Sequence, residues 1–119
     1  MVINENVCDA CSPDAEKVSQ EIIVQFIEKF NNWELAKDVG FPQLKRVFTF
    51  NNFSDASKFA NKVSELADKK GHHPTILLEY GKVTVRWWSH KLKGLHQTDV
   101  DMSAQTELCY QETSELDKN

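Results

Sequence analysis

Apolar positions along this chain keep two different periods. Ile22, Ile23, Phe26, Ile27 and Phe30 recur every three to four residues, which predicts a helix over about residues 19 to 31. Ser19 stands where an N-cap belongs, Val18 and Ile23 flank it at hydrophobic-staple spacing, and Asn31-Asn32 ends the pattern. A clearer stripe of Ala56, Phe59, Ala60, Val63, Leu66 and Ala67 predicts a second helix in "SDASKFANKVSELADKK". Ser54 is its expected cap; Lys69 and Lys70 suit its C-terminal end, and Gly71 suits the left-handed residue that closes it. A third helix is expected from Thr98-Asp99-Val100-Asp101, which has capping-box spacing, to about Gln111.

Between these helices the period shortens to two. Trp33 to Ala36 and Gln43 to Phe50 read as strands, with Gly40 and Pro42 punctuating the stretch between them. In the second, Leu44, Phe48 and Phe50 share one parity, but so does Arg46, which interrupts the apolar face. Thr75 to Tyr80, a turn around Gly81, and Lys82 to Trp88 form a hairpin. Val83, Val85 and Trp87 then share one face, and Thr84, Arg86 and Trp88 the other. An outward Trp88 beside Arg86 points to a subunit interface or to a surface that stacks on a planar ligand. The order α-β-β-α-β-β-α, with hairpins favouring antiparallel pairing, predicts an α+β fold: a four-stranded antiparallel sheet with helices packed on one face.

Composition narrows the function more than the fold. The 119 residues, 40% of them apolar, suffice for one domain, placed at 13–112 between an N-terminal arm over 1–12 and a fraying tail over 113–119. Net charge is −4 and the basic residues are scattered, so no nucleic-acid partner is expected. No apolar run approaches the ~20 residues of a membrane span. The opening "MVINENVCDACSPDAEK" has neither the pattern of a secretory signal nor that of a transit peptide, so a cytoplasmic protein is expected. Three cysteines make a poor disulfide framework. Cys8 and Cys11 form a CxxC, but no second cysteine pair completes a zinc site and no strand precedes it as in a redox motif. An inert arm is the favoured reading, ahead of metal binding or redox work. The sequon Asn52-Phe53-Ser54 carries no weight without a secretory signal.

The chemistry gathers in "GHHPTILLEYGKVTVRWWSH", which holds three of the four histidines. His72 and His73 fall at a helix-to-strand corner, where both rings can approach one pocket, and Pro74 keeps His73 extended. His90 ends the second hairpin strand, so antiparallel pairing returns it to the same edge. Asp68 lies one helical turn before His72, and Asp99 opens the last helix. Imidazoles exchange protons near neutral pH, and two held close resist double protonation, which supplies an acid and a base from one residue type. A nearby carboxylate fixes the tautomer. Taken singly, each histidine is a plausible helix cap, Asp68 a solvated helix residue and Asp99 a first-turn acid; strand geometry is what joins them. A metal site is disfavoured, because adjacent histidines are poorly spaced as two ligands from one rigid element. No serine or cysteine nucleophile constellation and no glycine-rich phosphate loop is present.

The run His72-His73-Pro74, then Tyr80, Lys82-Val83, His90, Gly94-Leu95 and Asp99, resembles the pterin-4a-carbinolamine dehydratase family, known also for dimerising a homeodomain transcription factor. The similarity spans about Trp33 to Leu108, and "GKVTVRWWSH" and "KGLHQTD" look like the bacterial branch, often associated with phenylalanine hydroxylase. The resemblance implies an α+β fold in homodimers or homotetramers. It implies loss of water from 4a-hydroxytetrahydropterin to give quinonoid dihydropterin, recycling the cofactor of aromatic amino-acid hydroxylases, with no metal or cofactor. His72, His73 and His90 would be catalytic, with Asp68, Asp99, Trp88 and Pro74 binding substrate or supporting a histidine. Asp68 stands where many members carry glutamate. The alternative is a protein-binding module that stabilises an oligomeric partner such as a transcription factor or a hydroxylase.

Overall fold

The computed structural model describes residues 15 to 117, with side chains through 113. The arm expected over 1–12, with Cys8 and Cys11, lies outside the described residues, as do 118 and 119 of the expected tail. Three helices and four strands follow in the expected order: α1 Gln20–Lys29, β1 Glu34–Ala36, β2 Gln43–Thr49, α2 Phe53–Lys70, β3 Thr75–Glu79, β4 Lys82–Trp87 and α3 Gln97–Asp117.

The strands form one antiparallel sheet ordered β1-β2-β4-β3. Val83 pairs with Phe48 and Leu78, and Val85 with Arg46 and Ile76, so one face carries Leu44, Phe48, Val83, Val85 and Trp87. All five are fully buried. Burying each such side chain contributes roughly 1.5–3 kcal/mol, which makes this face the driving surface of the fold. α2 and α3 pack on it and on each other. α1 adds Ile23 and Phe26 at one end, Phe26 meeting Trp33 edge-on with centroids 5.8 Å apart. The other face is partly covered, Gln43 being buried and Arg86 held by Asp38 from the loop preceding β2. A row of Leu77, Thr84 and Val47 crosses it, and Leu77 and Val47 are exposed.

The ends of the elements correct several expectations. α1 is capped by Ser19 as expected, its hydroxyl accepting the Ile22 N–H. α2 starts earlier than Ser54: Asn52 is the cap, its Oδ1 accepting the Asp55 N–H at 2.8 Å. Asparagine caps as well as serine does, and at residue 52 it leaves Phe53 in the first turn. At the other end Gly71 takes φ 66°, and the N–H groups of Gly71 and His72 return to the carbonyls of Asp68 and Ala67. This Schellman closure turns the chain sharply and pins the backbone of His72. α3 starts one residue before Thr98, with His96 as the cap. Its Nδ1 accepts the Thr98 N–H, and the Asp99 carboxylate reaches back to the His96 N–H. This is capping-box logic with an imidazole in place of a hydroxyl. α3 continues beyond Gln111 to Asp117. Among the described residues no helix is long and apolar enough to cross a membrane.

Candidate active site

The two adjacent histidines have opposite surroundings. His72, held by the helix closure, is only 2% exposed; its Nε2 lies 2.6 Å from Asp99 Oδ1, and its ring stacks on Trp87 at 5.8 Å. His73, kept extended by Pro74, has its side chain 60% exposed, with Nε2 3.0 Å from Asp68 Oδ1. The expectation that both rings approach one pocket is therefore not met in its simple form. One ring is buried beneath the site and one is at its surface. Asp68, one turn before the pair, meets His73 through this contact.

Asp99 is the centre of the buried branch. It is fully buried, and its second oxygen accepts the Ser89 hydroxyl at 2.6 Å and the His96 N–H at 2.9 Å. Three donors around one carboxylate satisfy a group that would be costly to bury alone. A carboxylate accepts, so the proton at the His72–Asp99 contact sits on His72 Nε2 when that ring is neutral.

The exposed branch comes from the opposite strand. His90 follows the end of β4, in a loop closed by backbone pairing of Ser89 with Gly94. Its Nε2 lies 3.3 Å from the His73 carbonyl oxygen, and its ring stacks on Trp88 at 4.5 Å with 16° between planes. Antiparallel pairing of β3 and β4 thus brings His90 to His73, as the hairpin requires. Carboxylate and carbonyl partners assign the Nε2 proton in both rings. No hydrogen bond from either Nδ1 to another described residue is formed.

Trp88 lies beyond β4 and is half-buried, not outward on the sheet. It sits between His90 and Phe41, whose centroid is 6.1 Å away, and so acts as a buttress for His90. The loop carrying Phe41 is clipped to β4 by Asp38, whose carboxylate takes two bonds from Arg86 at 2.9 and 3.1 Å. The Arg86 guanidinium holds the Asp38 carboxyl below its ordinary value of 3.8. Sequence patterns missed Ser89, His96 and Phe41. Ser89 had one available signal, its place beside His90; the other two are set by loop geometry. The third cysteine, Cys109, is half-buried on α3, and burial, with Glu112 nearby, pushes its thiol up, away from the reactive thiolate. Among the described residues no three His, Cys, Asp or Glu side chains gather as metal ligands.

Comparison with known proteins agrees with this framework. A protein of Marinobacter nauticus is 47% identical over 108 residues, covering 91% of this chain and 97% of its own length. One of Nitrosococcus oceani is 48% identical over 100 residues, covering 84% and 88%. Both carry the name "Putative pterin-4-alpha-carbinolamine dehydratase". Two solved structures share the fold. One is a transcriptional coactivator/pterin dehydratase from Brucella melitensis, with TM-score 0.72, 22% identity, and coverage of 80% of this chain and 99% of that one. The other is a pterin dehydratase-like protein identified as a RuBisCO assembly factor in the α-carboxysome, with TM-score 0.56, 18% identity, and coverage of 66% and 89%. The family model for pterin 4 alpha carbinolamine dehydratase matches residues 16–109, a span that takes in all four histidines with Asp68 and Asp99, and the chain belongs to that family.

Proposed function

We propose that this protein dehydrates 4a-hydroxytetrahydropterin to quinonoid dihydropterin by histidine general acid–base catalysis. The C4a–O bond breaks, the oxygen leaves as water after gaining a proton, and the N5 proton is lost as the C4a–N5 double bond forms. The reaction needs one group to give a proton and one to take it, and no redox partner. His73 and His90 are the accessible pair. With their Nε2 atoms turned to Asp68 and to the His73 carbonyl, each has an Nδ1 to offer a ligand. His72 lies behind them, held by Asp99, and keeps a polar floor beneath the site. The reading extends to a cytoplasmic homodimer or homotetramer that recycles the tetrahydropterin of an aromatic amino-acid hydroxylase.

The observation that carries this reading is the approach of two exposed histidines flanking paired strands, the His90 Nε2 lying 3.3 Å from the His73 backbone carbonyl. A stopped-flow assay coupled to a pterin-dependent hydroxylase tests it. His73→Ala and His90→Ala should each lower the rate ~10²-fold or more, the usual worth of a positioned proton-transfer group. A His73→Ala protein as fast as the wild type would overturn the scheme.

A second reading is a protein-binding module, in keeping with the coactivator and assembly-factor descriptions of the two structural neighbours. The exposed Leu77 and Val47, on the sheet face away from the helices, favour it. Purified protein with no effect on carbinolamine decay would leave this reading standing.

A further inference from the structure

Ser89 belongs to no strand or helix, yet it touches both branches of the site. Its hydroxyl donates to Asp99 Oδ2 at 2.6 Å; its backbone N–H donates to the Gly94 carbonyl at 2.8 Å, closing the loop that presents His90. Ser89 is 1% exposed, so water does not compete for either bond. On the far side, Asp99 Oδ2 also accepts the His96 N–H, and Oδ1 is left to His72 Nε2. A carboxylate with one oxygen held by two donors on different segments cannot rock about its Cβ–Cγ bond. Its other oxygen is therefore presented to His72 in one direction.

We propose that Ser89 is a positioning residue that ties the two histidine branches together. Its hydroxyl anchors the Asp99 carboxylate that sets the His72 tautomer, and its backbone anchors the loop that carries His90. The link to turnover rests on the dehydratase reading; the link to His72 does not. Alanine at this position removes the hydroxyl and leaves the backbone bond to Gly94 intact, so it isolates the first link. With the hydroxyl gone, Asp99 Oδ2 retains only the His96 N–H. The carboxylate gains freedom to turn, and the hold of Oδ1 on the His72 Nε2–H weakens.

The test combines nitrogen-15 imidazole NMR with steady-state kinetics on wild type, Ser89→Ala and Ser89→Thr. Wild-type His72 should give the signature of a pure Nε2–H tautomer. Ser89→Ala should give a mixed signature, with kcat lower by ~10-fold or more and KM within about twofold, the pattern of lost orientation at the reacting step. Ser89→Thr, which keeps the hydroxyl, should restore both. An unchanged His72 signature in folded Ser89→Ala overturns the proposal, whatever happens to the rate. So does activity that falls only in step with the folded fraction, read from thermal unfolding. A wild-type protein without dehydratase activity would sink the functional reading, and the NMR comparison would still decide whether Ser89 sets His72.

Discussion

α2 turns Ala56, Phe59, Ala60, Val63 and Ala67 inward, all apolar; α3 buries Asp99, Ser103, Thr106, Glu107 and Thr113 beside Val100 and Met102. Both helices cover the same sheet, by different means. α2 removes hydrocarbon from water. α3 accepts hydrogen bonds from rings carried by other parts of the chain: His72 to Asp99, Trp87 to Thr106 at 3.0 Å, and Trp33 to Glu107 at 2.9 Å. The hydroxyls of Ser103, Thr106 and Thr113 donate to carbonyls four residues back, which is how they remain inside a helix. The apolar seam is tolerant of shape change, since neighbouring hydrocarbon can shift. The polar seam requires each donor and acceptor in place, and it is the one that reaches the histidines.

Breaking each seam at its largest member should cost a similar amount for different reasons. Phe59→Ala leaves a cavity among Phe48, Phe50 and Tyr110 and should lose ~3–5 kcal/mol in denaturant unfolding. Glu107→Ala leaves the Arg46 guanidinium, bonded to that carboxylate at 2.7 and 3.2 Å, buried without its partner, and should lose about 3–5 kcal/mol as well. The two diverge on repair. Arg46→Met combined with Glu107→Leu should recover most of the loss, short of wild type by ~1–3 kcal/mol for the orphaned Trp33 N–H. A double variant no better than Glu107→Ala would show that the seam is held by shape and not by pairing.

This contrast also marks how far the sequence could be read. α2, the hairpin and the sheet were legible because apolar periodicity reports one-sided burial directly. α3 was legible only at its start, since its inner face is polar and the partners that make this tolerable lie as far as Trp33 and Arg46. Arg46 had left a trace, as the charged residue breaking the apolar parity of β2; its bond to Glu107 gives that break its cause. At the site, hairpin register was enough to bring His90 to His73. The separation of His72 from His73 was not legible, because it depends on the Gly71 closure and on a carboxylate held by Ser89 and His96, none of which imposes a spacing.

A smaller test concerns the entry to α2. Asn52→Ala should lower stability by about 1 kcal/mol through the lost bond to the Asp55 N–H, and Ser54→Ala should stay within ~0.5 kcal/mol of wild type. Equal losses at the two positions would return the cap to Ser54 and shift the start of the apolar stripe.

The smallest effect is expected where the chemistry of the polar seam recurs in water. Asp38 and Arg86 make the same two-bond carboxylate–guanidinium contact as Glu107 and Arg46, but the Asp38 side chain is 58% exposed. Solvent already reaches the Asp38 carboxylate, and Arg86 keeps a second bond to Gln43, so the pair adds little. What it adds depends on pH in one direction. The Asp38 carboxyl is held below 3.8 by Arg86 in the folded chain, so the unfolded chain binds the proton first as pH falls. The contribution is thus fully present above about pH 4 and disappears as pH drops through the folded-state value. Urea midpoints measured from neutral pH down to about pH 3 should fall slightly less steeply for Asp38→Asn than for wild type, with the two curves converging at the acid end. A wild-type slope unchanged by Asp38→Asn would mean that the clip on the Phe41 loop carries no stability at all, and that Trp88 holds that loop through ring contact alone.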